Sequence, residues 1–216
     1  MALKSSIKYI ELFTAIIGTI YYYKYRHTFL KHYLVILWYI TFTEFLGYTL
    51  RKLNILNYNA ILYNLYHVIN FVYLFLLYQK YISNTRQKNC VRVFVYLYLA
   101  SFLVCMLFEN YLYKVQTIPF LLASVFLVIS ISFYFLEILN TDKVLYIRKN
   151  LLFWLSVGLL LYYVGNMPFR VIRNFYEDIP NIYNIYVSFI SIFILSIIMN
   201  ICIIIGFIWS EKDNQY

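Results

Sequence analysis

The sequence predicts an all-α fold, a polytopic membrane protein built as a bundle of seven transmembrane helices. Of its 216 residues, 63% are hydrophobic and only 12% are charged, and the mean hydropathy is +0.70. A water-soluble domain carries about 25% charged residues. Seven apolar stretches of about 20 residues follow one another, and each is long enough to cross a hydrocarbon layer about 30 Å thick. The composition therefore excludes a water-soluble enzyme and a disordered chain.

The connections between the seven stretches are short, and no segment between them is long enough to fold by itself. We therefore predict a single membrane domain over residues 1–216. A β-barrel would show alternating polarity along its strands, whereas the run Ile197–Ile208 is almost continuously apolar. In chain order, the predicted helices are Ile7–Tyr23, Tyr33–Leu50, Ala60–Gln79, Val93–Leu112, Thr117–Leu139, Leu151–Ile172 and Ile185–Trp209.

The distribution of basic residues predicts the orientation of the bundle. The connections after the first, third and fifth helices, together with the C-terminal tail, hold eleven Lys and Arg residues, and the other face holds seven. Because cytoplasmic loops carry the excess of basic residues, we expect the N-terminus outside and the C-terminus in the cytoplasm, most simply in a bacterial inner membrane. The net charge of +9 then reflects topology and lipid headgroups. No nucleic acid partner is expected.

Polar residues within the apolar helices carry the functional information, because each of them is costly in hydrocarbon and usually faces protein or water. In the first helix, Glu11 and Thr14 share a face, and Lys8 lies one turn before Glu11. We expect Glu11 near the outer boundary, where its side chain reaches water. Glu44 differs, because it lies deep in the second helix, near the middle of the bilayer.

Six polar residues fall in the outer halves of their predicted helices, and together they predict a water-accessible pocket that opens outward. Within it, the Glu44 carboxylate either pairs with a cation such as His67 or is protonated and bonds a neighbouring helix. The pocket would take a small ligand or a proton. Its predicted members are Glu44, Asn64, His67, Glu109, Asn166 and Arg170.

A second feature of the sixth helix is the sequence Gly-Asn-Met-Pro at residues 165–168. Proline removes a helix hydrogen bond, and it commonly produces a kink. The alternative is a broken helix of the kind that lines binding sites in many transporters. We favour the plain kink.

The sequence lacks the patterns that would predict chemistry. There is no G-x-S-x-G elbow, no H-E-x-x-H pair and no phosphate-binding glycine loop, and all three aspartates lie outside the predicted helices. The three cysteines have neither metal-binding nor disulfide spacing. The seventh helix contains no lysine for a retinal Schiff base. We therefore expect no catalytic residue, no metal site and no cofactor.

Three segments carry a resemblance to a known group of proteins: LWYITFTEFLG at 37–47, FENYL at 108–112 and VGNMPFR at 164–170. In these segments the chain resembles uncharacterised seven-helix integral membrane proteins of flavobacteria and related Bacteroidota. The resemblance extends over nearly the whole chain. It implies the same architecture, and it implies no particular activity.

Three functions remain compatible with the sequence. The first, which we favour, is a receptor- or sensor-like protein whose outward pocket binds a small ligand or a proton, with a separate signalling partner on the basic cytoplasmic loops. The second is a small-solute or proton-coupled transporter in which the Glu44 carboxylate binds and releases the proton or solute. Few glycines and no visible internal repeat weigh against it. The third is an oligomeric membrane effector or scaffold, which would need no chemistry.

Overall fold

A computed structural model of the chain describes residues 2–53, 60–175 and 182–211. Over these residues the fold is all-α, as predicted, and seven α-helices are present. Two short 3₁₀ helices cover Tyr22–Lys24 and Asp142–Lys149. The seven helices are α1 (Ala2–Ile20), α2 (Lys31–Lys52), α3 (Ala60–Tyr81), α4 (Thr85–Phe108), α5 (Thr117–Leu139), α6 (Leu151–Phe175) and α7 (Ile182–Trp209).

Six of these helices, α2 to α7, are long and apolar enough to cross a membrane. The protein is therefore a polytopic membrane protein in contact with the lipid bilayer. The first helix forms as predicted, but α1 is not among the six, since its 19 residues include three charged ones, Lys4, Lys8 and Glu11. The orientation of the bundle stays a prediction.

The fourth helix differs from its predicted bounds. It begins at Thr85 rather than Val93, because the Asn84 side chain caps it by accepting the backbone N–H groups of Arg86 and Gln87 at 2.9 and 3.4 Å. This cap makes a polar segment helical that we had predicted as a loop. The helix ends at Phe108 rather than Leu112, so the placement of Glu109 within the fourth helix was wrong.

The sixth helix has no break at residues 165–168. The α6 helix runs from Leu151 to Phe175 with Pro168 inside it. Proline lacks the N–H that would bond the preceding turn, yet the chain is helical on both sides. The broken-helix alternative is therefore wrong.

By their internal contacts, the helices form two compact units. Unit 1 comprises Met1–Leu34 and Lys143–Tyr216, and it contains α1, α6 and α7. Unit 2 is the continuous segment Val35–Asp142, and it contains most of α2 together with α3, α4 and α5. The prediction of a single domain stays a prediction.

In unit 1, α7 packs against both other helices. Thr14 of α1 bonds Asn200 of α7, and Gly18 lies against Phe207, so α1 and α7 run parallel. The α6 helix runs antiparallel to α7, since Gly165 meets Leu195, midway along α7, whereas Trp154, near the start of α6, meets Gly206, near the end of α7.

Glycines bring α6 and α7 close together. A Cβ atom added at Gly158 would lie 3.0 Å from the Met199 carbonyl oxygen. At Gly206 an added Cβ would lie 2.9 Å from the Cβ of Trp154. Small residues allow helix backbones to approach in membranes, where van der Waals packing contributes much of the association energy.

In unit 2, aromatic rings join α3, α4 and α5. Phe71 of α3 is fully buried, and its ring lies 5.4 Å from that of Tyr98 in α4 and 5.5 Å from that of Phe120 in α5. Phe94 and Phe126 stack with their ring centroids 4.4 Å apart. Edge-to-face and stacked rings at these distances attract each other beyond the area they bury.

Candidate functional site

The six residues of the predicted pocket divide between the two units. Glu44, Asn64, His67 and Glu109 belong to unit 2, whereas Asn166 and Arg170 lie one turn apart on α6 in unit 1. The pocket as a single site stays a prediction. The surroundings of its members within each unit are described below.

Asn64 fastens the connection between α4 and α5. Its buried side chain donates from Nδ2 to the carbonyl oxygens of Tyr111 and Lys114, at 2.8 and 3.0 Å. Its Oδ1 atom accepts the backbone N–H of Gln116 at 3.0 Å. Both polar atoms of the amide are therefore engaged in holding a loop. This arrangement favours a structural role for Asn64.

Gln116, whose backbone N–H bonds Asn64, is the residue directly before α5. Only 2% of its surface is exposed, and neither polar atom of its side chain has a hydrogen-bond partner among the described residues. Sequence reasoning passed over Gln116, because it was assigned to a loop. The signal that identifies it is a polar residue next to an apolar run, at the point where a helix begins.

His67 stands one turn after Asn64 on α3, in an aromatic setting. Its ring is half-buried, with its centroid 5.0 Å from that of Phe120 and 6.3 Å from that of Phe71. The neighbouring ring of Tyr66 lies 5.4 Å away. These rings join His67 to the aromatic core of unit 2.

The two carboxylates assigned to unit 2 differ in position. Glu44 is half-buried within α2, between buried Thr43 and the half-buried Phe45. Glu109 follows the last turn of α4, and its backbone N–H bonds the Cys105 carbonyl at 2.8 Å. Glu44 is therefore a residue of the helix interior and Glu109 a residue of the helix end, while the depth of Glu44 in the bilayer stays a prediction.

Asn166 and Arg170 occupy the second half of α6. Asn166 is 1% exposed and its Oδ1 atom has no hydrogen-bond partner among the described residues, whereas Arg170 is half-buried. Gly165, which precedes Asn166, lies against Leu195 of α7. The glycine of this motif therefore serves helix packing.

A line of buried polar residues lies between α1 and α7, and we call it the polar stripe. At its centre, the Thr14 hydroxyl lies 2.8 Å from Asn200 Oδ1, and the Asn200 amide donates to the Ser196 carbonyl, also at 2.8 Å. The other members lie within two turns of these on the same two helices. The polar stripe comprises Lys8, Glu11, Thr14, Ser196 and Asn200, all between 0 and 6% exposed.

The polar stripe places two ionisable residues level with the middle of α7. Asn200 lies near the middle of the membrane-length segment Ile190–Trp209, so Thr14, its partner, lies at the same level. Glu11 is one turn away, about 4.5 Å along the helix axis. Glu11 is 6% exposed and Lys8 is 5% exposed. Glu11 is thus buried within the protein where we had expected its side chain to reach water, and its position relative to the outer boundary stays a prediction.

The α7 half of the polar stripe was missed at the sequence level. Ser196 and Asn200 are uncharged polar residues in a very apolar helix, and α7 contains no charged residue that would draw attention to them. Their spacing of one helical turn was the available signal. An asparagine within an apolar transmembrane helix usually bonds another helix, as Asn200 does.

Replacing Thr14 with valine tests the polar stripe. Valine keeps the shape of the side chain and removes the hydroxyl, so the α1–α7 hydrogen bond is lost. We expect the free energy of unfolding in mixed micelles to fall by about 0.6–1.7 kcal/mol, the range for interhelical hydrogen bonds in membranes. The control is T49V, since exposed Thr49 bonds only the Phe45 carbonyl of its own helix. Equal effects of the two changes would contradict the assignment.

At the other end of unit 2, Glu137 has a structural task. Its carboxylate accepts the backbone N–H and the hydroxyl of Ser83, at 2.7 and 2.6 Å. Ser83 lies in the turn between α3 and α4, so this pair ties the end of α5 to that turn. The Glu137 carboxylate, near the end of the fifth helix, therefore has a structural role.

Among the described residues, no group of three or more His, Cys, Asp or Glu side chains is placed to hold a metal ion. No protein-family model, no curated protein and no solved structure matches the chain. The site is therefore interpreted from its own chemistry.

Proposed function

We propose that the protein is a receptor- or sensor-like multi-pass membrane protein that responds to a proton or a small polar ligand. The observation that carries the proposal is the polar stripe, in which Lys8 and Glu11 are buried beside the middle of α7. Ionisable side chains at membrane depth are costly, and they commonly mark proton or ligand sites. Glu44 and His67 in unit 2 are the second place where such a response would begin.

The proposal includes the finer points of placement. The N-terminus faces outward, the C-terminus faces the cytoplasm, and a separate signalling partner binds the basic cytoplasmic loops. The host membrane is a bacterial inner membrane, in keeping with the resemblance to seven-helix proteins of flavobacteria. We propose no enzymatic activity.

A continuous α6 favours the sensor over the transporter. Many transporters bind substrate at the ends of interrupted helices near the middle of the bilayer. The one segment that suggested such an interruption, residues 165–168, is helical throughout. The transporter alternative then depends on a proton carried by Glu11 or Glu44.

The proposal is tested in proteoliposomes that contain only this protein. Infrared difference spectra between about pH 5 and pH 8 report carboxylic acid groups that gain or lose a proton. We expect a titrating carboxyl group that disappears in E11Q, together with a change in amide exchange of α1 and α7. A dye trapped in the vesicles should report no net proton flux.

E109Q is the matched control, because Glu109 follows the end of α4 and lies outside the polar stripe. Its spectra should equal those of the unchanged protein. Loss of the signal in E44Q instead of E11Q would place the response in unit 2. Proton flux that E11Q abolishes would support the transporter, and spectra without any titrating carboxyl group would remove the proton-sensing proposal.

A further inference from the structure

The end of unit 1 where α1 and α7 finish has a concentration of basic and aromatic residues. Lys24, Arg26, Arg148 and Lys149 lie in the segments next to this end, and Arg26, Arg148 and Lys149 are exposed. Trp209 is 55% exposed, and the half-buried Trp154 stands beside it. We call this surface the basic rim. Its residues are Lys24, Arg26, Arg148, Lys149, Trp154 and Trp209.

Direct contacts hold the basic rim together. Lys24 Nζ donates to the carbonyl oxygens of Phe207 and Ile208, at 3.2 and 2.7 Å, in the last turn of α7. The Trp154 indole N–H donates to the Arg148 carbonyl at 2.9 Å, and its ring lies 5.5 Å from that of Trp209, edge to face. Segments distant in sequence therefore form one surface.

Among the residues that the structure describes here, Glu211 is an acidic residue in contact with the basic rim. Its carboxylate lies 2.6 Å from Lys149 Nζ. Burial lowers the pKa of Lys24, and the negative charge of Glu211 partly opposes that shift. Among the described residues, Glu211 therefore acts on Lys149 and Lys24, two of the four cations of the basic rim. The surface keeps a positive excess, with tryptophan rings immediately beside it.

We propose that the basic rim binds the phosphate of an anionic glycerophospholipid. Tryptophans favour the level of the lipid headgroups in a membrane, and Lys and Arg side chains at that level attract anionic lipids. Arg148 and Lys149 are adjacent to the asparagine that opens α6, so a phosphate bound there lies next to the Trp154 ring. The exposed Trp209 ring offers an apolar contact for the upper part of the acyl chains.

The bound group is a lipid headgroup rather than a free phosphate ion. The acyl chains add apolar contact with Trp209 that an inorganic ion cannot make. The surface also lies at the end of three helices, of which α6 and α7 are membrane-length. This inference depends on none of the residues of the polar stripe, although the cations of the basic rim lie in connections that the proposed function assigns to a signalling partner.

Tryptophan fluorescence provides the test. The chain has three tryptophans, so W38F leaves only Trp154 and Trp209, both in the basic rim. Proteoliposomes are prepared with brominated phosphatidylglycerol or brominated phosphatidylcholine, whose bromines quench nearby tryptophans. In W38F, we expect half-maximal quenching at a mole fraction about fivefold or more lower for the anionic lipid.

Two further changes should act in opposite directions. R148Q removes one cation and should reduce the preference for the anionic lipid about fivefold, whereas E211Q removes the opposing carboxylate and should increase it. The control is R92Q, which changes the same charge at an exposed position of unit 2. In the W38F background, R92Q should leave the preference for the anionic lipid unchanged.

Several outcomes would overturn the proposal. These are equal quenching by both lipids, equal effects of R148Q and R92Q, and loss of the preference when inorganic phosphate is added, which would point to a free anion. If W38F does not fold, native mass spectrometry of the unchanged protein makes the same comparison. Retention of anionic lipid, reduced in R148Q and increased in E211Q, would support the basic rim, and equal retention of both lipids would refute it.

Discussion

Replacing Asn64 with leucine is expected to lower the free energy of unfolding by about 3 kcal/mol, since three hydrogen bonds are lost at about 1 kcal/mol each. The amide bonds the carbonyl oxygens of Tyr111 and Lys114 and the N–H of Gln116, so its removal should release residues 109–116. Unfolding in mixed micelles measures the first effect. Faster amide exchange and proteolysis within the loop measure the second.

Two variants sharpen this test. Aspartate at position 64 keeps the acceptor for the Gln116 N–H and removes both donors, so N64D should lose most of the stability that N64L loses. Asn110 lies in the same loop, and its side chain accepts one N–H, from Leu112, at an exposed position. N110A should therefore cost about 0.5 kcal/mol. If N64L lowers the free energy of unfolding no more than N110A does, the three hydrogen bonds of Asn64 contribute nothing to stability.

Introducing alanine at Gly158 is expected to destabilise the protein by about 1–3 kcal/mol, the usual cost of overpacking. The added methyl group would lie 3.0 Å from the Met199 carbonyl oxygen and 3.1 Å from the Cβ of Cys202. These atoms belong to, or are directly attached to, the α7 backbone, so the helices must separate. The sign of the change in the free energy of unfolding is informative, because alanine in place of glycine otherwise stabilises a helix by about 1 kcal/mol.

Gly165 offers the matched comparison, since an added methyl group there would lie 2.7 Å from a terminal carbon of Leu195. That carbon is removed in L195A. The cost of G165A should therefore shrink in the L195A background, and the cost of G158A should not. Measured unfolding free energies of the single and double variants give the two coupling energies. If G158A and G165A showed the same coupling energy with L195A, this result would contradict the close approach of α6 and α7.

Helix number and helix type could be read from the sequence, because apolar runs of membrane length are a strong signal. Thr117–Leu139 matches α5 at both ends. The fourth helix was displaced because hydropathy marks where a helix meets lipid, whereas Asn84 determines where the helical hydrogen bonds begin. Three charged residues, Lys4, Lys8 and Glu11, left α1 outside the set of helices that could cross a membrane, although the helix itself was predicted.

The candidate site was less predictable, because a sequence shows polar side chains without their partners. Asn64 was selected as a member of the predicted pocket, whereas the partners that the structure gives it are backbone atoms, which no side-chain pattern displays. Asn200 was passed over, since its partner Thr14 lies 186 positions away. Glu11 was expected to reach water, whereas it is 6% exposed, since α1 packs against α7.

The pairing of the first and last helices has a consequence for biosynthesis. Residues 35–142 are continuous, so all helices of unit 2 leave the ribosome before α6 is made. Asn200 is synthesised 186 residues after Thr14. At translation rates of about 5–20 residues per second, this delay is about 10–40 s. During that interval Lys8 and Glu11 have no α7 beside them. A chain truncated before α7 should therefore expose α1 to membrane proteases, and completion of the last helix should end that vulnerability.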